Sequence, residues 1–195
     1  MDIVRHRINT LNDLKELPEG IGAEVDLRSF GEQIILNHEP FLSGDSFGDF
    51  LGVWVKKKRG VLILNPKEDG LEAQILSLLQ QFDVSNFFFL DLTLPTIVRL
   101  AVKQGISKIA VRLSEYEPIE GVLKFAGHVE WVWVDSFSGE PTDPVLLKKL
   151  NGKFKTCLVS PELQGYSLDF ITKFLSRSPY ISAVCTKHPD RWGWK

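Results

Sequence analysis

Short apolar runs alternate with amphipathic segments along nearly the whole chain. Seven segments between these runs place apolar residues near i, i+3, i+4 and i+7, which predicts helices. Strands that are apolar on both faces and separated by helices are typical of a parallel sheet with right-handed crossovers. We therefore predict an α/β fold, a compact eight-stranded TIM barrel. The runs predicted as strands are DIVRHRI, GAEVDLR, GVLILN, NFFFLDL, KIAVRL, VEWVWVD, KTCLVS and ISAVCT.

The chain is short for such a barrel. Its 195 residues leave about 24 for each strand and helix unit, whereas a typical barrel has about 250 residues in all. No composition shift or flexible linker divides the sequence, so we expect a single domain over residues 1–195. If one run is not a barrel strand, an open doubly wound sheet is the alternative. In both folds a ligand binds at the carboxyl ends of the strands.

Two carboxylates stand out in the second predicted strand. Glu24 and Asp26 are two residues apart, so their side chains leave the strand on the same face and can converge on one hard cation. Glu24 lies in an apolar run, where an unpaired carboxylate is costly. A cation, Mg²⁺ or Ca²⁺, could compensate that cost, and so could an ion pair with Arg5 or Arg28.

Histidines lie on either side of this pair. His6 follows the first predicted strand, and His38 ends an extended segment, QIILNHEP, that comes after the second. Imidazoles titrate near neutral pH and can exchange protons with a substrate. Two histidines around two carboxylates therefore predict metal-assisted cleavage of a phosphoester.

The same residues resemble the glycerophosphodiester phosphodiesterase family, whose members are TIM barrels. His6 and Arg7 match its opening His-Arg, EVD matches its Glu-x-Asp, and NHEP matches its His-Asp. The resemblance implies hydrolysis of a small organic phosphodiester, with His6 and His38 as the acid/base pair and Glu24 and Asp26 as metal ligands.

Two later segments resemble the family with substitutions. In LILNPK, Asn65 stands where the family has Glu and Lys67 is retained, so the resemblance makes Asn65 a third metal ligand. In CTKHPD, Lys187 replaces the family's Asp. We assign Lys187 to substrate binding, together with Arg7.

Further polar residues end other predicted strands. Asp91 could restore the negative charge that Asn65 lacks, or it could cap the following helix. Lys67 and Arg112 are candidate phosphate ligands, although ion pairs at the barrel mouth are equally compatible with their positions. Trp131 and Trp133 alternate with valines, and we expect both indoles to pack beneath helices.

Composition limits the partners. The chain has 23 basic and 25 acidic residues and a formal net charge of −2. This near balance does not indicate binding to nucleic acid or to an anionic membrane. No run of about 18 apolar residues predicts a membrane span, and because MDIVRH is not a basic segment leading into an apolar stretch, we expect no signal sequence. We expect a cytoplasmic protein that acts on a small-molecule phosphodiester; its oligomeric state is not predicted.

Three alternatives stay open at this stage. A barrel with altered residues at positions 65 and 187 could bind a phosphate-containing ligand without turnover. A barrel enzyme of the isomerase or aldolase type would use a lysine at a strand end, and Lys187 is in such a position. The chain could also act only by binding another protein.

Overall fold

Ten strands form a single sheet in the computed structural model, which describes residues 1–194. Eight of them run parallel, in the spatial order β6, β5, β2, β1, β10, β9, β8, β7. The strands are β1 Asp2–Arg5, β2 Gly22–Phe30, β3 Gln33–Leu36, β4 Asp45–Ser46, β5 Leu62–Pro66, β6 Phe87–Phe89, β7 Ala110–Leu113, β8 Trp131–Val134, β9 Lys155–Val159 and β10 Ala183–Thr186.

The parallel strands lie where the apolar runs predicted them. Each of the eight runs contains one strand, and most strand residues are buried because both faces of the sheet are covered. The register pairs Asp26 of β2 with Asn65 of β5, so the polar ends of these two strands are side by side.

A hairpin extends one strand beyond the parallel sheet. β2 is nine residues long, and its second half pairs antiparallel with β3, Leu27 opposite Leu36. β3 pairs in turn with the short β4. The predicted extended segment after β2 is therefore present, and His38 lies two residues after the end of β3.

The eight parallel strands do not form a barrel closed by continuous hydrogen-bonded ladders. β6 and β7 are connected by one bridge, Phe89 to Ile109, with Phe89 N donating to Lys108 O at 2.9 Å. The predicted α/β class is present, with a mostly parallel, curled sheet, but a complete closed barrel is not shown. β6 has only three residues, and Asp91, two residues beyond it, has a φ of 56°, in the left-handed region that is incompatible with an extended strand.

Seven α-helices connect the strands in the described part of the chain, near the predicted segments. Side-chain caps begin three of them: Thr10 and Ser46 accept from backbone N–H groups three residues on, and Asp143 from one two residues on. The fourth continues as a π-helix, Val98–Lys103. The helices are α1 Leu11–Glu16, α2 Phe47–Trp54, α3 Glu72–Gln81, α4 Leu94–Ile97, α5 Ile119–Leu123, α6 Pro144–Leu150 and α7 Ile171–Phe174.

The apolar core has two layers. The larger layer lies between strands and helices, and a smaller one fills the space enclosed by the sheet. Trp131 and Trp133 belong to the inner layer, where Trp131 stacks on Phe88 with ring centroids 4.5 Å apart. Our expectation that both indoles pack beneath helices is wrong. Alternation along a strand shows that two side chains share a face, but not which face points inward.

None of the helices in residues 1–194 is both long and apolar enough to cross a bilayer. Cys157 and Cys185 are unpaired thiols buried in the inner layer.

Candidate active site

Polar side chains from six parallel strands converge at the carboxyl ends of the sheet. They line a cavity of about 190 Å³. Eight of the ten residues that we predicted for the site line it: His6, Arg7, Glu24, Asp26, Asn65, Lys67, Asp91 and Arg112. Asp135, Trp133 and Gln164 line the same cavity without having been assigned to it.

Glu24 is deeply enclosed, with 1% of its side chain exposed, the same fraction as Asp26. One carboxylate oxygen accepts from the Arg7 backbone N–H at 2.8 Å, and the other accepts from Asn65 Nδ2 at 3.1 Å. Burial, reinforced by the nearby Asp26 carboxylate, raises the pKa of Glu24 to about 7. This side chain therefore takes up or releases a proton near neutral pH.

The backbone at Arg7 is shaped around this contact. Arg7 has a φ of 54°, in the left-handed region that non-glycine residues seldom adopt. Such a conformation costs on the order of 1–3 kcal/mol and persists where the surroundings fix it. Here it accompanies the hydrogen bond from the Arg7 N–H to Glu24.

Asp26 is surrounded by donors. Lys67 Nζ lies 2.8 Å from Oδ1, and Arg7 Nε lies 3.7 Å from Oδ2. Asn9 holds the residue from two directions, because its Nδ2 donates to Oδ2 at 2.7 Å and its Oδ1 accepts from the Asp26 N–H at 2.9 Å. Neither Arg5 nor Arg28, the ion-pair partners considered for Glu24, has such a contact; Arg28 donates instead to the His38 carbonyl.

His6 lies beside the carboxylates, with Nε2 3.7 Å from Glu24 Oε2. Its Nδ1 is buried and, among residues 1–194, has no hydrogen-bond partner. Burial, together with the charge of Arg7, lowers the pKa of His6 to about 4. The imidazole is consequently neutral at pH 7 and able to accept a proton.

Arg112 organises the opposite side of the cavity. Its guanidinium donates to Asp135 and to Asp91, and Nε lies 3.9 Å from Glu117 Oε1. Asp135 also accepts from Gln164 Nε2 at 2.7 Å. Asp91 thus lines the predicted cavity but is paired with Arg112.

Two predicted residues are not among those that line the cavity. His38 is about one-third exposed, and its Nδ1 lies 2.6 Å from Glu39 Oε1. Lys187 is exposed, and its backbone N–H donates to Glu162 at 3.0 Å. Its positive charge nevertheless contributes to the low pKa of His6.

Known proteins resemble the chain in structure. The sequence matches no protein-family model and no curated protein. A glycerophosphodiester phosphodiesterase from Agrobacterium tumefaciens str. C58 superposes with a TM-score of 0.69 at 10% identity, covering 98% of both chains. An Oleispira antarctica phosphodiesterase, in complex with the product sn-glycerol-3-phosphate, gives 0.70 at 14% identity and covers 98% of this chain and 95% of its own.

The chain has the fold of the glycerophosphodiester phosphodiesterases. A third example, from Thermotoga maritima, gives a TM-score of 0.63 at 15% identity and covers 95% of this chain and 93% of its own. The resemblance inferred from HR, EVD and NHEP is therefore confirmed in the fold. Identities of 10–15% show the fold alone and leave the activity to be tested.

The glycerophosphodiester phosphodiesterase fold raises the question of a divalent cation. The oxygens of Glu24, Asp26 and Asn65 are of the type that Mg²⁺ and Ca²⁺ prefer. Asn65 Oδ1 is buried, and no donor in the described chain reaches it, so this oxygen is available as a ligand. Residues 1–194 contain no cluster of three or more His, Cys, Asp or Glu able to hold a metal. The candidate donor set is thus two carboxylates and an amide, which together carry less negative charge than three carboxylates would.

Sequence reasoning missed several residues around the cavity. Asn9 follows a turn and gave no signal, because its bonds to Asp26 span 17 positions. Gln164 lies in a short 3₁₀ helix after β9. Asp135 does end a predicted strand, so its position at a strand end was the one available signal.

Proposed function

We propose that this chain is a phosphodiesterase that hydrolyses a small organic phosphodiester with the help of one divalent cation. The observation that carries the proposal is the neutral, buried imidazole of His6 beside Glu24, in a cavity that also contains Arg7, Lys67 and Arg112. The shared fold supports the same reaction class.

In this proposal the cationic side chains bind the phosphoryl group. Arg7 and Arg112 offer guanidinium donors that suit phosphate oxygens, and Lys67 offers a point charge. Lys67 has 19% of its side chain exposed, and Arg7 has 44%, so both can reach a ligand that enters from solvent. Lys187 adds positive charge at the edge of the site.

His6 acts as the general base or acid. Because the ring is neutral at pH 7, it can remove a proton from the attacking hydroxyl, either of water or of a neighbouring substrate alcohol. A second group must protonate the leaving alkoxide, and we assign this step to His38. The contact between His38 and Glu39 has to open before that ring can serve the substrate.

Glu24, Asp26 and Asn65 would hold the cation, with Asp91 as a further candidate. When bound, a divalent cation polarises a non-bridging phosphoryl oxygen and orients the diester. The chain's own contribution is to keep Glu24 and Asp26 fixed, through the Arg7 N–H and the two bonds from Asn9.

The test is hydrolysis of bis(4-nitrophenyl) phosphate and of a glycerophosphodiester by the purified chain, in millimolar Mg²⁺, millimolar Ca²⁺ and EDTA. We expect turnover that depends on the cation and is lost in Glu24→Gln. A preparation inactive with every cation and both substrates would remove the enzymatic proposal.

A second function has specific support: binding of a phosphate-containing ligand without turnover. Asn65 stands where the resembling family has a carboxylate, and Lys67 already neutralises Asp26. Calorimetry and phosphorus NMR with a glycerophosphodiester in millimolar cation distinguish the two functions, because binding without any hydrolysis favours the second. The isomerase or aldolase alternative gains no support, since Lys187 does not line the cavity.

A further inference from the structure

The gap between β6 and β7 contains a cavity of about 660 Å³, which is larger than the cavity of about 190 Å³ at the candidate active site. We call it the β6–β7 cleft. One wall includes Leu90 and Leu92, which follow β6, and the other includes Ala110 and Val111 of β7. These are the positions where the ladder that would close a barrel is missing, beyond the Phe89–Ile109 bridge.

The cleft is predominantly apolar. Ile97, Val122 and Phe125 lie along it, from the helices that cover this part of the sheet. Its rim exposes Leu94 (62%) and Tyr116 (81%), large side chains that would be expected to avoid water. An apolar cavity of this size is typical of ligand-binding clefts, which span about 300–1,000 Å³.

The cleft adjoins the candidate active site. Leu90, Asp91 and Arg112 line both cavities. A ligand whose phosphoryl group contacts Arg112 would therefore have an apolar passage beside it. Arg112 at one end and walls that are mostly apolar, apart from Glu117 and Lys124, suit an amphiphilic molecule with an anionic head.

We propose that the β6–β7 cleft binds a hydrocarbon chain attached to the phosphodiester, so that the substrate class is phosphodiesters with one long apolar substituent. This inference rests on the proposed function for the position of the phosphoryl group. It goes further by assigning the chemistry of one of the two alcohols, which the charged cavity does not specify.

The experiment uses methyl n-alkyl phosphodiesters from methyl to octyl, each below its micellar concentration. Affinity is measured by calorimetry and hydrolysis by phosphorus NMR, so binding is observed even without turnover. A fully buried methylene contributes about 0.8 kcal/mol, close to a fourfold change in affinity. We expect at least a tenfold gain in affinity, and in kcat/KM if the chain turns over, between the methyl and octyl members.

Gly121 of α5 offers a variant that fills the cleft. It lines the cavity, and an added Cβ would meet no atom within 4 Å. Gly121→Leu should therefore occupy the space intended for the hydrocarbon chain and reduce the octyl-to-methyl ratio towards one. Glu120→Leu is the matched control, because it places the same side chain one position earlier on the same helix, exposed and outside the cleft. Thermal unfolding of both variants checks that they fold.

Each outcome bears on the proposal separately from the enzymatic claim. Chain-length-dependent binding that Gly121→Leu abolishes and Glu120→Leu retains supports the cleft, even if no diester is hydrolysed. Equal affinity for the methyl and octyl members overturns it, even if hydrolysis is rapid. A chain-length effect that is unchanged in Gly121→Leu also overturns it. So does the finding that the protein dimerises with concentration, that Gly121→Leu abolishes the dimer, and that alkyl length has no effect on affinity.

Discussion

The two sides of the strand-end surface are built differently. Around β1, β2 and β5, parallel ladders run without interruption, and the side chains at the strand ends are charged and bonded to one another. Around β6 and β7 one bridge replaces the ladder, and most of the side chains are apolar. Arg112 lies between the two regions and lines both cavities.

The comparison shows how backbone pairing sets the spacing of a site. Ladders hold neighbouring strands about 4.8 Å apart, so the polar ends of β2 and β5 are within hydrogen-bond reach of each other. Glu24 and Asn65 meet in this way, although they are 41 positions apart in sequence. Where the ladder stops, the strands can diverge, and the space between them becomes a cleft.

The largest effect should come from the imidazole on the ladder-rich side. We expect His6→Ala to lower kcat on a competent phosphodiester by about 10²- to 10⁴-fold, the usual contribution of general acid/base catalysis. His128→Ala, which removes an exposed imidazole before β8, is the control. Steady-state kinetics with alkyl and nitrophenyl leaving groups assigns the role, since nitrophenolate departs without a proton. Unchanged kcat in His6→Ala would exclude it as acid or base.

The pH dependence of stability should separate His6 from Glu24. The pKa of His6 is about 4 in the fold and 6.5 ordinarily. As pH falls through this window the unfolded chain takes up a proton that the folded chain does not, so wild type loses stability, on the order of 3 kcal/mol in full. His6→Ala should lack this loss in urea unfolding at pH 7.5 and pH 5 with EDTA.

Glu24 should act in the opposite direction, because its pKa is raised from 4.5 to about 7. Between these values the folded chain keeps a proton that the unfolded chain has released, so this group stabilises the fold as pH falls from 7 to 4.5. Glu24→Gln should lose that gain and become more acid-sensitive than wild type. Identical pH slopes in Glu24→Gln, His6→Ala and wild type would contradict both assignments.

Cation binding should raise the melting temperature. A ligand at one hundred times its Kd stabilises the folded state by about 2.7 kcal/mol. Asp26→Asn should weaken the response to Mg²⁺ or Ca²⁺, and Asn65→Glu should strengthen it by adding a third carboxylate. Asp169→Asn changes an exposed carboxylate elsewhere and is the control. Equal melting temperatures in EDTA and in millimolar cation would mean that Glu24 and Asp26 bind no cation and only form hydrogen bonds and ion pairs within the protein.

Two glycines provide the smallest effects, with opposite signs in the two regions. A Cβ on Gly22 of β2 would lie 2.3 Å from the Val61 carbonyl oxygen, so Gly22→Ala should destabilise the fold by about 1–3 kcal/mol. Gly121→Ala adds a methyl group into open space on a helix and should stabilise by up to about 1 kcal/mol. Chemical unfolding of both variants measures the difference, and a loss of stability in Gly121→Ala would show that the cleft is not open at that position.

Much of the candidate site was predictable because strand ends carry its residues. Glu24 and Asp26 share a face by the two-residue period of a strand, and parallel strands bring His6 and Asn65 to the same edge. The position of His38 was less predictable. It depends on how the hairpin of β2 and β3 leaves the sheet, and the ring lies against Glu39 rather than in the cavity.

By itself the sequence determined the alternation of strands and helices, since apolar periodicity is a local property of the chain. It also identified the polar residues that end the strands. Only the tertiary structure decided which face of β8 points inward, that Asn9 holds Asp26, and that β6 and β7 separate to leave a cleft. These features depend on contacts between residues distant in the chain and on the length of a three-residue strand, which no local pattern encodes.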